Sequence, residues 1–473
     1  MPRKPSHPDR PDQPDFFDEE ATPHEAIEDP EAARIIERFR RHERPEVVDA
    51  EIEEAEDESL DEADEPPAEE PVAAEDETPA EAVPAEETPV EPAPAREQTE
   101  AQRTDAKRYE AIHNRLFLVD ILATAAALAV FLFLGLSTNL RVFIEQRMSE
   151  NAFAVVALYG VIVTIVYYFV ILFPLHYVDY WHELQFGLSR QSFAAWLADE
   201  FKSMGLNMIL LVVFLELVYF LLRAAPTTWW VWAAAAWTLL VVVLTKLAPV
   251  LLIPIFFKRE PLPDEELAER LRHLVERVRM NVIAVEKLGL GAKTVKANAM
   301  LAGLGSTKRV LLGDTLLDNF SHDEIETVLG HELGHHYYNH VWKLIGAGAA
   351  ATVAGFFVAA LILSSLVESL DYLNFGSVAD VATFPILAVA LLVMALVAMP
   401  ATNAFSRTLE RQADRFALRL TRKPGAFISA MRRLAVQNLA DTEPSPIIEA
   451  LLHGHPSISR RIAAAEAFQD EDA

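Results

Sequence analysis

The chain has 473 residues, and its 41 Lys and Arg against 70 Asp and Glu give a formal net charge of −29. Residues 1–105 hold 10 basic and 36 acidic residues, so this segment alone has a net charge of −26. A net acidic chain without a basic stripe lacks the charge that neutralises phosphates, which argues against nucleic-acid binding. The absence of cysteine excludes disulfides and thiolate ligands, so any zinc must be held by histidines and carboxylates.

The first 105 residues are rich in Pro, Glu, Asp and Ala and contain few aromatic residues. Such a composition cannot bury enough apolar surface to offset the entropy of ordering, so residues 1–105 are predicted to form a disordered acidic tail. A short amphipathic helix over residues 31–42 is an alternative for one stretch. No apolar run opens the sequence, so no cleavable signal peptide is expected.

Six strongly apolar segments follow the tail, and most of them reach the roughly 20 residues that span a bilayer core. A large soluble helical core is the alternative, but the near absence of charge inside the segments argues against it. Lys246 and Pro249 interrupt the fourth segment, where we expect a kink or an early end. The predicted spans are Leu116–Leu136, Ala152–Pro174, Asn207–Leu222, Trp229–Phe256, Leu344–Leu366 and Phe384–Met399.

The basic residues of the loops predict how these spans are oriented. They lie before the first span, between the second and third, after the fourth and after the sixth, whereas residues 368–381 contain none. The catalytic region and both termini are therefore expected to be cytoplasmic, although Arg141 and Arg147 between the first two spans dissent. We expect the inner membrane of a bacterial cell, with the endoplasmic reticulum membrane as the alternative.

Two polar regions remain beyond the tail, residues 257–343 and 400–473. The first begins with an amphipathic helical pattern, which three short runs of strand character follow. These patterns predict a mainly α, multi-pass membrane protein in which a small α+β catalytic domain is interrupted by transmembrane helices. The helix is predicted over 261–278 and the strands over 282–288, 294–302 and 308–312. The predicted domains are a four-span membrane domain at 106–256 and a catalytic domain at 257–473, with its two spans at about 344–366 and 384–402.

One motif carries recognisable chemistry, and it lies just before the fifth span in the stretch SHDEIETVLGHELGHH. Ser321 and Glu324 form a capping box, which predicts that a helix starts there. In that helix His331 and His335 lie one turn apart on the same face, so both imidazoles can reach one Zn²⁺. Glu332 lies beside them and can act as the general base toward a water molecule at the metal.

A zinc site of this type needs a third protein ligand, for which Glu410 is the best candidate. Glu410 lies on a predicted helix with Asp414 one turn later. That spacing suits a metal ligand followed by a carboxylate that orients a ligand histidine. A solvated helix face, on which Arg407 and Arg411 pair with the two acids, remains open as the alternative.

Several other polar residues carry weaker signals. His336 and His340 lie one turn apart, and a solvated or capping role is favoured over a second metal-binding pair. His455 is an isolated histidine, and a histidine or arginine near zinc can stabilise an oxyanion. Asn298 lies on a predicted strand, and an edge strand beside a protease site can pair with an extended substrate.

The sequence resembles the CAAX prenyl endoproteases, membrane-embedded gluzincin metalloproteases that are related to the bacterial heat-shock membrane protease. The resemblance covers about residues 110–470 and implies a zincin-type catalytic domain. Eukaryotic members look like seven-span proteins, whereas six spans are visible here and the acidic tail stands where the first would be. The matching segments are residues 186–192 (FGLSRQS), Asn298 with Ala299, residues 312–317 (LGDTLL), 331–335 (HELGH) and 406–414 (SRTLERQAD), and His455 with Pro456 and Arg461.

The resemblance also implies roles for individual side chains. It makes Glu332 the general base and Asp414 a carboxylate that orients a ligand. The implied zinc ligands are His331, His335 and Glu410, and the residues implied to bind substrate or the oxyanion are Asn298, His455 and Arg461.

These features predict an endopeptidase that uses zinc-activated water to cleave membrane-associated or C-terminally prenylated polypeptides. A catalytically idle membrane scaffold that recruits partners through the acidic tail is one alternative, but it requires the loss of a catalytic group and none is missing. A metal transporter is another. It would place ionisable residues inside several spans, and only Lys246 is expected there.

Overall fold

The computed structural model describes residues 95–148, 150–280 and 282–472, and most of the predicted acidic tail lies outside these residues. The described chain is mainly helical with one small sheet, as predicted. In chain order the elements are α1 (Glu100–Phe133), α2 (Leu136–Arg147), α3 (Ala152–Gln185), α4 (Phe193–Ala224), α5 (Trp229–Phe256), β1 (Arg259–Pro261), α6 (Glu265–Arg277), β2 (Ala284–Leu288), β3 (Ala299–Ala302), β4 (Arg309–Gly313), α7 (Asp314–Leu317), α8 (His322–Tyr337), α9 (His340–Ser369), α10 (Phe384–Thr421), α11 (Pro424–Gln437), α12 (Pro446–Leu452) and α13 (Ile458–Asp472).

Within the described residues, six helices are long and apolar enough to cross a membrane, and each overlaps one predicted span. Five of the predicted spans lie wholly inside their helices, whereas the first helix ends at Phe133, before the predicted end at Leu136. Several continue well beyond the apolar segment from which they were predicted. The predicted interruption of the fourth span is a turn of π-helix at Ala248–Leu252 that includes Pro249. The sixth helix, α10, runs through Pro400 to Thr421 without a break, so one helix begins in the apolar region and carries Glu410 and Asp414.

The start of α1 corrects the predicted boundary of the tail. α1 begins at Glu100, and Thr99 and Gln102 form a capping box at its start. The buried side chain of Gln98 donates hydrogen bonds to the carbonyl of Ala435 at 2.8 Å and to that of Ala440 at 3.0 Å. Residues 98–105 therefore belong to the folded part, since local capping and a distant backbone contact hold them in place.

These contacts predict that two truncated variants behave differently. Removing residues 1–94 should leave thermal stability and hydrolysis unchanged. Removing residues 1–106 deletes a helix cap worth about 1 kcal/mol and two hydrogen bonds worth about 1 kcal/mol each, so it should unfold at a lower temperature. Thermal unfolding in detergent measures both, with Gln98→Ala as a point variant that should show part of the loss. Equal stability of the two truncations would contradict an anchoring role for Gln98 and Thr99.

The sheet has four strands in the order β1-β2-β4-β3, with β2 parallel to β4 and the other pairs antiparallel. The three predicted strands are confirmed: β2 and β3 are shorter than predicted, and β4 is shifted by one residue. β1 was not predicted. The predicted amphipathic helix is α6, whose Leu267, Leu271 and Leu274 are buried in a core that also contains Leu312 of β4 and Leu329 of α8. This packing holds the sheet against the helix that carries the metal-binding motif.

The crossing of α8 and α10 is unusually close because small residues face each other. A Cβ atom added at Gly334 would lie 3.0 Å from the Cα of Ala413, and one added at Gly330 would lie 3.3 Å from the Cα of Ala417. Small residues repeated every fourth position let two helix backbones approach in this way. The crossing brings the residues of α10 that neighbour Ala413 up to the histidines of α8.

The structure also corrects the inventory of ionisable residues inside the spans. Lys246 is not alone there, because Asp120 lies within α1 and Glu216 within α4. Asp120 accepts a hydrogen bond from Thr124 at 3.3 Å, and the Thr124 hydroxyl lies 2.9 Å from that of Tyr167 on α3. Even so, the one group of three His or acidic residues that could hold a metal among the described residues lies where α8 meets α10.

Candidate metal centre

The start of α8 is fixed as its sequence predicts. Ser321 accepts a hydrogen bond from the backbone N–H of Glu324, and the Glu324 carboxylate accepts one from the backbone N–H of Ser321 at 2.8 Å. The same carboxylate accepts a hydrogen bond from Arg433 Nε of α11 at 2.8 Å. The capping box thus anchors the helix to its neighbour and sets the direction in which its histidines project.

His331, His335 and Glu410 bring three donor atoms together. The Nε2 atoms of His331 and His335 lie 3.0 Å apart. Oε2 of Glu410 lies 3.3 Å from Nε2 of His331, and its Oε1 lies 3.3 Å from Nε2 of His335. Ligands about 2.0–2.1 Å from a tetrahedral zinc ion lie roughly 3.3 Å from one another, so each of these separations suits two atoms that share one metal ion. Glu410 Oε2 is buried and has no hydrogen-bond donor. An orphaned buried oxygen at this place fits a metal ligand.

The carboxylate of Asp414 orients the first of these histidines. Its Oδ1 lies 2.8 Å from Nδ1 of His331, on the opposite side of the ring from Nε2, the nitrogen that faces Glu410. Arg461 donates to both oxygens of Asp414, at 2.6 and 2.9 Å. With Nε2 free for a metal, the His331 proton belongs on Nδ1 and is donated to Asp414. The structure therefore gives Arg461 a contact with Asp414 that was not predicted from the sequence.

A second chain of contacts orients His335, and it corrects the solvated or capping role favoured for His340. His340 is fully buried, its Nδ1 lies 3.1 Å from Nδ1 of His335, and its Nε2 lies 3.1 Å from Oε1 of Gln412. If Nε2 of His335 faces the metal, its Nδ1 donates to His340, which in turn donates to Gln412. Both ligand histidines are thus held by a hydrogen-bond partner behind the ring.

The side chain of Glu332 extends from α8 toward the edge strand β3. Its Oε2 atom accepts a hydrogen bond from the backbone N–H of Leu301 at 3.4 Å, and the buried ring of His336 lies 3.0 Å from the carbonyl oxygen of the same residue. His336 is therefore a packing residue that binds the strand, rather than the solvated or capping side chain favoured from the sequence. The contact places the proposed base beside the strand at which a substrate would bind.

The remaining predicted residues are exposed. His455 lies in the loop between α12 and α13, where its side chain is 69% exposed and its Nε2 lies 3.4 Å from Oε1 of Glu410. Asn298 is exposed just before β3, and its carbonyl accepts a hydrogen bond from the N–H of Gly313 at 2.9 Å. The structure thus brings His455 to the ligand group and places Asn298 at the start of the edge strand.

The carboxylates around His331 give the centre a preference for positive charge. Burial alone lowers the pKa of this imidazole, but its contacts with the carboxylates of Asp414 and Glu410 outweigh that effect and raise the pKa to about 9. A metal cation at Nε2 would draw on the same attraction.

A multi-pass helical membrane protein with this His-Glu-x-x-His helix and a carboxylate from a second helix belongs to the membrane metalloproteases. Its residues 261–469 match the family model of peptidase family M48, and residues 82–258 match that of the CAAX prenyl protease N-terminal region. The chain belongs to the CAAX prenyl protease family within peptidase family M48.

Known relatives agree with this assignment. The chain is 26% identical to the uncharacterized metalloprotease YhfN of Bacillus subtilis, over 76% of this chain and 84% of the relative. It is 28% identical to CAAX prenyl protease 1 of Saccharomyces cerevisiae, over 63% of this chain and 69% of the relative. The crystal structure of S. mikatae Ste24p has the same fold, with a TM-score of 0.66 at 22% identity over 78% of this chain and 89% of that one.

One feature differs from the family description. The N-terminal family model is described as having five membrane helices, and it matches residues 82–258. In the described part of that range, four helices are long and apolar enough to cross a membrane. With the two later spans, α9 and α10, these four helices give the predicted total of six spans in the described residues.

Proposed function

We propose that this membrane metalloprotease is a zinc-dependent endopeptidase that cleaves membrane-associated polypeptides, including those with a prenylated C-terminus. The observation that carries the proposal is the triangle of donor atoms on His331, His335 and Glu410, with Glu332 next to it. The family relationship supports the choice of substrate class, since a relative at 28% identity is a CAAX prenyl protease. An idle scaffold does not account for a complete set of ligands and a base.

Zinc is the metal that peptidases of this family use in general. When bound by His331, His335 and Glu410, it would supply Lewis-acid activation of the peptide carbonyl and of a water molecule. Glu332 takes the proton of the attacking water and then delivers it to the amine that leaves. His455 is exposed beside Glu410 and donates its ring N–H to the oxygen on which negative charge develops.

Asp414 and Arg461 hold the His331 ring in place. The guanidinium of Arg461 donates hydrogen bonds to both oxygens of Asp414. These contacts argue for a positioning role rather than the predicted contact with substrate. Such partners of metal ligands typically contribute about 10–100-fold to metal affinity or activity.

The edge strand β3 offers a binding site for an extended polypeptide. Successive residues of a strand point their backbone groups to alternate sides. The carbonyl of Asn298 faces β4, because it binds Gly313, so the backbone of Ala299 faces the open edge. The N–H of Leu301 on that edge lies against Glu332, so a substrate paired at Ala299 would run toward the base. Asn298 then lies beside the bound chain.

The six spans and the loop charges support a cytoplasmic position for the centre. The polar element sequence from β1 to α8 follows the fourth span and precedes the fifth, so it lies on a single side of the membrane. The basic residues of the adjoining loops favour the cytoplasmic side.

The proposal is tested with two quenched fluorescent peptides of the same sequence, one of which carries a farnesylated cysteine three residues before its end. Purified protein in detergent should cleave at least the farnesylated peptide, should lose activity on treatment with a zinc chelator, and should regain it with added zinc. The kcat/KM ratio of the two peptides reports the specificity. Equal kcat/KM values for the two peptides would contradict prenyl recognition but would agree with the proposed endopeptidase activity. No hydrolysis of either peptide, or hydrolysis that resists chelation, would contradict the proposal.

A further inference from the structure

Arg407 lies one helical turn before Glu410 on α10, and its guanidinium binds the backbone of another element. Its terminal nitrogen donates to the carbonyl oxygen of Glu449 at 2.9 Å and to that of His453 at 2.6 Å, with the carbonyl of Ala450 at 3.4 Å. These carbonyls belong to the last turn of α12 and the residue that ends it. The pairing with Glu410 and Asp414 considered from the sequence is therefore not the contact that Arg407 makes.

The last turn of a helix leaves carbonyl groups without a partner inside the helix, and it carries partial negative charge. A guanidinium nitrogen carries two N–H groups, so Nη1 of Arg407 can donate to two such carbonyls at once. Asn403, one turn earlier on α10, adds a hydrogen bond from its side-chain amide to the carbonyl of Leu451 at 2.7 Å. Two side chains of α10 thus clamp the end of α12.

The clamp lies immediately before His455. Gly454 packs against α10, since a Cβ atom added there would lie 3.5 Å from the Ser406 hydroxyl oxygen and 3.9 Å from the side-chain oxygen of Asn403. The next residue, His455, extends from this contact to within 3.4 Å of Glu410. The ring itself is mostly exposed, so neighbouring side chains do little to fix it. Its position is set by the backbone that Arg407 and Asn403 hold.

We infer that Arg407 is a positioning residue for the reaction, because it fixes the loop that presents His455. The same helix, α10, then sets the positions of both the ligand Glu410 and the oxyanion donor His455. The inference rests on the proposed function, in which His455 donates to the developing oxyanion. A group that acts through geometry matters because a displacement of about 1 Å can cost on the order of 10²-fold in rate.

The experiment compares Arg407→Ala, His455→Ala and the double variant with the wild type, using the farnesylated fluorescent peptide. His455→Ala should lose about 10²–10³-fold in kcat. Arg407→Ala should lose roughly 10²-fold, with zinc content and KM little changed. If Arg407 acts only through His455, the double variant should be no slower than His455→Ala. Arg407→Lys keeps the positive charge but not the guanidinium group, so its kcat should lie between those of the wild type and Arg407→Ala. Arg411→Ala, on the exposed side of the same helix, should have wild-type activity.

Hydrogen exchange followed by mass spectrometry provides a readout that does not depend on activity. Arg407→Ala should raise amide exchange in residues 446–457 and leave α8 unchanged, and Asn403→Ala should do so more weakly if the first variant folds poorly. Unchanged exchange in 446–457, or a double variant with the product of the two single losses, would overturn the inference. Full activity of His455→Ala would instead remove the oxyanion role from the proposed function, whereas full activity of Arg407→Ala beside a defective His455→Ala would remove only the inference.

Discussion

Replacing Glu332 with Gln should nearly abolish hydrolysis and leave the protein otherwise intact. The change keeps the shape of the side chain and its acceptor for the N–H of Leu301, but it removes the base. Loss of a general base typically costs roughly 10²–10⁴-fold, and the loss here should reach at least that range because the same residue also positions the water. Zinc content and thermal unfolding should barely change, because Glu332 is not among the three donors. Peptide hydrolysis, metal analysis and thermal unfolding on one preparation measure all three.

Glu326→Gln on the same helix is the matched control for Glu332→Gln. Glu326 is buried and forms ion pairs with Arg270 and Lys423, and helical periodicity puts it on a different face of α8 from the two histidines. Its replacement should lower the unfolding temperature and leave hydrolysis close to that of the wild type. Glu332→Gln should therefore lose hydrolysis and keep its stability, whereas Glu326→Gln should lose stability and keep hydrolysis. If Glu332→Gln cleaves as fast as the wild type, the protease mechanism fails and the scaffold alternative takes its place.

Replacing either Glu410 or His335 should remove most of the metal. The wild type should contain about one zinc per chain. Glu410→Gln takes away the negative charge and one donor atom at a buried position, and His335→Ala removes an imidazole from the same triangle. Hydrolysis should fall together with zinc content, because the metal supplies the activation of water and carbonyl. Metal analysis after exhaustive dialysis, followed by titration with zinc, gives stoichiometry and affinity.

Glu449→Gln is the control for Glu410→Gln, because both carboxylates are buried to the same extent, at 4% exposure. Glu449 binds Arg460 and the backbone N–H of Ser457, so its variant should keep its zinc even if the fold is less stable. The zinc content of Asp414→Asn should lie between those of Glu410→Gln and Glu449→Gln, because its zinc affinity should be about 10–100-fold weaker than that of the wild type. Wild-type zinc content in Glu410→Gln would refute its assignment as the third ligand.

The arrangement of the centre has a consequence for its rigidity. α10 supplies Glu410 and Asp414 directly, and it reaches Gly330 and Gly334 of α8 through Ala413 and its neighbours. A side chain at Gly334 would meet backbone atoms of α10 rather than flexible side-chain ends. The distance between ligands from two helices is thus set by backbone contact.

The sequence by itself determined the features that depend on local geometry or on composition. The helix of the metal-binding motif, its capping box and the shared face of His331 and His335 follow from helical periodicity and from spacings of three and four residues. The six spans follow from the length of the apolar segments. The resemblance to the CAAX prenyl proteases added Glu410, which spacing alone left open between a ligand and a solvated face.

Only the tertiary structure decided which side chains from distant segments meet. The repeats of small residues at 330 and 334 and at 413 and 417 signal a close helix crossing, but they do not say which helices cross. The packing of α10 beside the start of α9 buries His340, for which a solvated or capping role was favoured, between His335 and Gln412. The packing of α13 against α10 brings Arg461 to Asp414. Arg407 and Gln98 bind backbone carbonyls far away in the chain, and a backbone carbonyl leaves no mark in the sequence that could predict its partner.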